Sequence, residues 1–366
     1  MAKKYRIVVD QNMPGIELLY SDFAEIIPAE GRLINNRLVR NADALLCRSI
    51  TQVNQSLLQD TKVKFVGTAT IGTDHLDIDW LESNHIRWAN AAGCNAAAVA
   101  QYVLSGLAFW SLTQKCDIKK LKIGIVGAGN VGTELARCLD LLGIHYLLCD
   151  PPLESQGDKR SLVSFEEALK CDVISLHVPI TNTGRYPTRH LIHQAILAQI
   201  KPNQLLINAS RGAVIDNQAL TDYLSDSKSA AIILDVFENE PDVPMELIEK
   251  CLLATPHIAG HTLEGKLRGS WLIFKAFCKA FDIATTRKES ELYPQANQIS
   301  LHNADLVESL LALYDIQSDS QALSFATTQV ATRFDQLRKN ANQMADGTIR
   351  RDYSGWQFLG EFQLPL

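Results

Sequence analysis

The run Lys122–Gly132, KIGIVGAGNVG, decides the fold. A short apolar stretch ends at Val126, glycines follow at 127, 129 and 132, and the helix-forming residues Thr133–Arg137 come next. Strand, G-x-G-x-x-G loop and helix in that order give each glycine a task. Gly127 makes the tight turn, Gly129 lets the backbone approach a pyrophosphate, and Gly132 lets helix and strand pack closely, with Asn130 and Val131 completing the loop. The next strand-like run, YLLCD, ends at Asp150, 23 residues after Gly127. A carboxylate there accepts hydrogen bonds from an adenosine ribose 2′-hydroxyl and repels a 2′-phosphate, so the segment is expected to bind NAD rather than NADP.

Working outward, DVISLHV (172–178), QLLINAS (204–210), AIILDVF (231–237) and CLLATPH (251–257) continue the series of short apolar runs, with helical stretches between most of them. Towards the N-terminus, YRIVVD (5–10), ALLCRS (44–49) and VKFVGTAT (63–70) repeat the pattern. Alternation of this kind predicts two doubly wound parallel sheets, hence an α/β protein. A long helix is expected over Cys94–Leu112 with Asn95 as its N-cap. The polar stretch 285–298 lacks apolar periodicity and is expected to be a linker. Beyond it a helix over Ala304–Leu313, an irregular middle and a basic segment make a small C-terminal piece, too small for an independent core.

The chain has 366 residues, about two to three domains' worth, with 46% hydrophobic and 21% charged residues. The formal charge of −6 disfavours a nucleic-acid partner, and any anionic ligand needs locally placed Arg or Lys. Eight scattered cysteines with no C-x-x-C pair predict reduced, mostly buried thiols, a cytoplasmic protein and no metal centre. The N-terminus lacks the pattern of a signal peptide, and the apolar stretch Ala89–Leu112 is broken by Asn90, Asn95 and Gln101, against a membrane span.

Three strand ends after the glycine loop each deliver a polar side chain: Arg211 in NASRGAVID, Glu240 in LDVFENEP and His257 in TPHIAGHT. Together with the Rossmann loop, these segments resemble the D-isomer-specific 2-hydroxyacid dehydrogenase family over residues 5–285. The resemblance implies NAD-dependent oxidation of a 2-hydroxy acid. Arg211 would grip the substrate carboxylate through its planar fork, His257 would take the hydroxyl proton, and Glu240 would orient the imidazole and favour its cation. It also implies cofactor contacts from Val178, Ala209, Ser210, Arg211, Asp235 and Gly260. The implied domains are a flavodoxin-like substrate-binding domain (1–94 and 258–284), a Rossmann NAD-binding domain (95–257) and a small α+β dimerisation domain (285–366) that makes a homodimer.

Further segments (RSIT at 48–51, VGTATIGTDHLD at 66–77, GCNAAAVAQYV at 93–103, HIAGHTLEGKLRG at 257–269 and FDQLRKN at 334–340) imply a phosphorylated 2-hydroxy acid as substrate, with Ser49, Thr70, His261 and Arg48 as substrate-binding residues. A substrate with carboxylate and phosphate at opposite ends needs a second cationic grip. Arg48, Lys266 and Arg268 are candidates, although Lys266 and Arg268 equally suit a solvated helix face; Arg350 or Arg351 of a partner subunit is a further candidate. Two positions depart from the resembled pattern: His261 replaces a Tyr, and Val178 a Thr. A phosphoglycerate-type or glyoxylate/hydroxypyruvate-type member of the family, or an NAD-sensing binding protein on the same fold, remain the alternatives.

Overall fold

In a computed structural model, which describes residues 5–226, 228–301, 305–325, 329–341 and 349–359, the strand Tyr5–Asp10 (β1) has four consecutive buried positions at its carboxyl end. Such a run belongs in the middle of a parallel sheet covered on both faces. It pairs with Ala24–Ala29 (β2) on one side and Ala44–Cys47 (β3) on the other, and Phe65–Thr68 (β4) and Arg87–Asn90 (β5) complete five parallel strands in the order β2-β1-β3-β4-β5. The helix Leu263–Ala280 packs on one face, where Phe277 meets Tyr20, Phe65 and Tyr5 edge-on. Gly67 permits this approach, because a methyl group there would overlap Ile273.

The second sheet is also parallel. It comprises Lys122–Val126 (β6), His145–Cys149 (β7), Val173–Leu176 (β8), Leu205–Asn208 (β9), Ala231–Leu234 (β10) and Leu253–Ala254 (β11), in the order β11-β10-β9-β8-β6-β7. Its reversal point lies between β6 and β8. The helix Ala96–Gln114 is long and apolar enough to cross a membrane, yet it is buried almost throughout in the core of this unit. Asn95 does not cap it: its Oδ1 is buried without a hydrogen-bond partner.

Contacts divide the chain into two compact units, Met1–Asn95 with Leu263–Gln295, and Ala96–Thr262 with Ala296–Leu366. The first boundary is one residue from expectation. The second moves from 257 to 262, because the backbone N–H groups of Ile258 and Ala259 are held by the Asp235 carboxylate at 2.7 and 2.8 Å. The C-terminal piece, expected as a third domain, clusters with the second unit. Gln101 Nε2 donates to the Leu313 carbonyl, Ser105 Oγ to that of Tyr314, and Ala254 N to Ser320 Oγ. Helices Ile316–Ser324 and Val330–Asn340 occupy the region expected to be irregular and basic, and a two-stranded parallel sheet joins Asn297–Ser300 (β12) to Trp356–Leu359 (β13). Most of the expected linker is anchored as well: Arg287 pairs with Asp22 at 2.6 Å, and Leu292 is buried against Gly15.

Candidate active site

The loops after β6 and β8 meet at the reversal point of the second sheet, where open α/β sheets bind ligands. Gly127 has φ +100°, and a methyl group on it would lie 2.6 Å from the His177 backbone and 3.0 Å from the Val178 nitrogen. At Gly132 a methyl would overlap the Gly127 carbonyl. Gly129 differs, since nothing in the chain lies within 4 Å of its missing Cβ. That open space, at the N-terminus of the helix Asn130–Leu142, fits a pyrophosphate approached by the backbone. Asp150 follows β7 and accepts from Ala128 N at 2.8 Å and Leu153 N at 3.0 Å, which fixes its carboxylate beside the glycine loop. His177 packs there too, its Nε2 on Ser175 Oγ at 2.8 Å, and burial pushes its pKa down to about 4, so the ring is neutral at pH 7.

The loops after β9, β10 and β11 bring the catalytic candidates into one network. Asn208 closes the first: its Oδ1 accepts from the N and Oγ of Ser210, and its Nδ2 donates to the Arg211 carbonyl at 3.0 Å. Arg211 Nη1 donates to the Ser210 carbonyl at 2.9 Å, and Ala209 lies on the same turn. Gly212 packs so tightly on the Phe237 carbonyl that a methyl would overlap it, and Phe237 N in turn donates to Glu240 Oε1 at 2.8 Å. The other carboxylate oxygen, Glu240 Oε2, lies 2.7 Å from His257 Nδ1. Burial pushes the Glu240 carboxyl up, but the His257 hydrogen bond and charge, the Phe237 N–H and Arg338 together outweigh it and hold it below the usual range. An ionised carboxylate only accepts, so Nδ1 is the nitrogen that carries the proton in the neutral ring, and Nε2 is then the one with the lone pair.

Asp235 fixes the backbone that carries this histidine. Beyond Ile258 N and Ala259 N it accepts from Thr255 Oγ1 at 2.7 Å, and Tyr102 Oη lies 2.7 Å behind Thr255. Burial raises the Asp235 carboxyl to about 6 against the pull of His257 and these donors, which leaves it ionised at pH 7. Gly260 and His261 follow on the same turn, His261 N donating to the Ile258 carbonyl at 2.9 Å. Arg350 is buried in its own chain: it donates to the carbonyls of Ile258 (2.6 Å) and Ala259 (3.4 Å), with its guanidinium 3.8 Å from the Tyr314 ring centroid. Arg351 is buried likewise and donates to Asn297 Oδ1 at 3.1 Å. Neither is a free cation for a partner's substrate, which corrects that expectation.

The first unit carries the other substrate candidates at the carboxyl ends of its strands. Arg48, after β3, donates from Nε to Asp10 Oδ2 at 2.9 Å and from Nη2 to Oδ1 at 3.3 Å. Ser49 follows in an exposed turn, and Thr70 Oγ1 lies 2.8 Å from Thr68 Oγ1, which contacts His75 Nε2 at 2.8 Å. Arg268 donates to the Cys94 carbonyl at 2.9 Å and lies 3.7 Å from Glu289. Asp10, Asn208, Arg338 and the brace from Arg350 were missed from sequence; for Asp10 the signal was available, since it ends the first strand as Asp150 follows β7. Among the described residues, one cluster of metal-ligating type occurs, His190, Asp216 and Glu238, with the Arg189 guanidinium 3.7 Å from Glu238. All eight cysteines are free thiols.

Residues 96–259 match the family model described as D-isomer specific 2-hydroxyacid dehydrogenase, NAD binding domain. The chain is similar to the erythronate-4-phosphate dehydrogenase of Tolumonas auensis, 42% identical over 91% of both chains, and to that of a Shewanella species, 42% identical over 99% of this chain and 96% of the relative. Among solved structures, NAD-bound 3-phosphoglycerate dehydrogenase from Entamoeba histolytica aligns with a TM-score of 0.65 at 22% identity, covering 78% of this chain and 97% of that one. D-lactate dehydrogenase from Aquifex aeolicus, with NAD and lactic acid, gives 0.58 at 22%, covering 76% and 95%.

Proposed function

The chain belongs to the D-isomer-specific 2-hydroxyacid dehydrogenase family, and from that premise we propose that it oxidises 4-phospho-D-erythronate to 2-oxo-3-hydroxy-4-phosphobutanoate with NAD, a step of pyridoxal 5′-phosphate biosynthesis. The observation that carries the chemistry is the 2.7 Å contact between His257 Nδ1 and Glu240, which puts the proton of the neutral ring on Nδ1 and makes Nε2 its basic nitrogen, at the end of an NAD-binding sheet. A nicotinamide held there would supply the acceptor for the hydride from C2. His257 Nε2 takes the C2 hydroxyl proton, and Glu240 stabilises the imidazolium that results. Arg211 grips the substrate carboxylate, a task its planar fork performs and a lysine does not. Gly127, Gly129, Asn130, Val131, Gly132, Asp150, Val178, Ala209, Ser210, Asp235 and Gly260 hold the cofactor. Val178 offers only its backbone, so a threonine's side-chain hydrogen bond there is dispensable, worth about 1 kcal/mol. Ser49, Thr70, Arg48 and His261 bind the substrate. The free cysteines support a cytoplasmic location, and exposed apolar residues of the C-terminal segment support a homodimer.

The test is NADH formation followed by absorbance, with 4-phospho-D-erythronate, 3-phospho-D-glycerate and D-glycerate as alternative substrates. Selective turnover of the four-carbon phosphate, abolished in His257→Ala, is the expected result. Preference for a three-carbon acid would overturn the substrate and leave the dehydrogenase chemistry standing.

A further inference from the structure

We propose that Arg338, in the last turn of the C-terminal helix Val330–Asn340, tunes the proton affinity of His257 by sharing the Glu240 carboxylate with it, so that the imidazole gives up its proton more readily than a Glu–His pair alone would allow. The role of His257 as a base rests on the function proposed above, whereas the charge arrangement around the ring does not.

Apolar contacts fix the helix. Phe334 is fully buried and meets Phe237 edge-on, and Val330 and Leu337 pack on the same core cluster as Phe237. Arg338 follows Phe334 by four residues, so the two share one helix face. Its Nη1 lies 4.0 Å from Glu240 Oε2, the oxygen that takes His257 Nδ1 at 2.7 Å, while Oε1 is occupied by Phe237 N at 2.8 Å. Phe237 therefore both anchors the helix and holds the carboxylate, and guanidinium and imidazole meet at one oxygen atom. The last turn of a helix also favours a cation. Among the described residues, no other acid lies within ion-pair distance of Arg338.

Two carboxylates favour the protonated ring: Glu240 in direct contact, and buried Asp235, whose backbone partners Ile258 and Ala259 follow the histidine. A cation on the Glu240 side opposes them twice, since it satisfies part of the carboxylate charge and repels the imidazolium. Solvent moderates the effect, because 32% of the Arg338 side chain is exposed. The remaining charges around the ring are engaged elsewhere or face solvent. Glu238 is held by His190 at 2.8 Å and lies 3.7 Å from Arg189. Arg211 donates to the Ser210 carbonyl, and Arg350 to the carbonyls of Ile258 and Ala259. His261 sits on the next turn with its N–H on the Ile258 carbonyl. Asp242, and Asp335 and Lys339 on the helix itself, are exposed. Arg338 is thus the cation placed to offset the Glu240 charge.

The experiment uses the full chain with Arg338→Met, Arg338→Gln and Arg338→Lys. The titration midpoint of the His257 ring is read by NMR on protein with labelled histidine, its signal assigned by its loss in His257→Gln. In parallel, kcat/KM for NAD-dependent oxidation of 4-phospho-D-erythronate is followed against pH. Both neutral variants are expected to raise the NMR midpoint by about 0.5–1 unit and to move the acid limb of kcat/KM up by the same interval. Measuring two of them keeps a loss of Tm in one from deciding the outcome. With NADH and the 2-oxo acid the imidazolium is the donor, so the basic limb of the reverse reaction should move up equally. Arg338→Lys keeps the charge and should return all three to within about 0.2 unit of native. Lower turnover with the midpoint and both limbs unmoved would confine Arg338 to structure and overturn the proposal. Equal shifts in Arg338→Met and Arg338→Lys would overturn it as well, since shape and not charge would then matter. If the native protein does not oxidise 4-phospho-D-erythronate while the NMR midpoint still moves, the proposed substrate falls and the tuning by Arg338 stands.

Discussion

At the scale of single residues, the proton chemistry turns on which nitrogen of His257 is protonated. His257 has φ +57°, a left-handed backbone that side chains other than glycine rarely adopt, and its N–H donates to the Asp235 carbonyl at 2.7 Å. Glu240→Gln tests the assignment sharply. The glutamine carbonyl replaces the acceptor for Phe237 N, and its NH2 then faces Nδ1. Two donors cannot face each other, so the ring moves its proton to Nε2 and loses its base. We expect kcat to fall about 10²- to 10⁴-fold, with Tm within a few degrees of native; a kcat within threefold of native would refute the assignment. Lys266 gives the pH prediction. Its native pKa of about 8 lies below the 10.5 of an ordinary lysine, so between these limits the unfolded chain binds more protons. Stability therefore rises with pH across that window relative to Lys266→Met.

At the scale of elements, the site is made by loops that touch backbone to backbone. Gly212→Ala would drive a methyl into the Phe237 carbonyl and separate the Arg211 turn from the Glu240 turn. About 1–3 kcal/mol of destabilisation follows from overpacking, together with loss of turnover; unchanged Tm and kcat would show that the contact relaxes freely. Arg350→Ala removes the donors to two buried carbonyls next to His257, and should cost about 1–3 kcal/mol and lower kcat. Native kcat in a destabilised Arg350→Ala would confine that brace to stability. The central strands were legible from sequence because they are buried on both faces: YRIVVD matches β1 residue for residue, and KIGIV matches β6. Of the strands missed, β2 and β5 are the two edges of the first sheet, and β12 and β13 form the small C-terminal pair. β2 carries Pro28, tolerated at an edge because it leaves no inner ladder unpaired, and β5 is only half buried. Arg211, Glu240 and His257 were legible because each ends a strand in a recognisable motif. Arg338 and the brace from Arg350 were not, since they act through contacts across some 90 residues of chain that no local pattern records.

At the scale of the whole molecule, the C-terminal segment has a task within its own chain and a second, proposed one outside it, and separate mutations tell them apart. Within its own chain it supports the catalytic loops: Phe334 is fully buried and meets Phe237 edge-on at 6.1 Å, and Arg338 lies 4.0 Å from Glu240. Outward it presents Phe325, 77% exposed, with Ile349 and Leu359 also exposed, and the two strands β12 and β13 form a sheet too small to cover its own edges. A second copy of this chain is the occupant we propose for these surfaces. Light scattering should give twice the chain mass for the native protein at micromolar concentration and the chain mass for Phe325→Asp/Ile349→Asp. Because the supports of Glu240 and His257 come from the same chain, the monomeric variant should keep kcat within a few-fold of native. A native monomer would refute the dimer. A monomeric variant that has lost turnover at native Tm would mean that the partner completes the site, and that bracing within one chain is not enough.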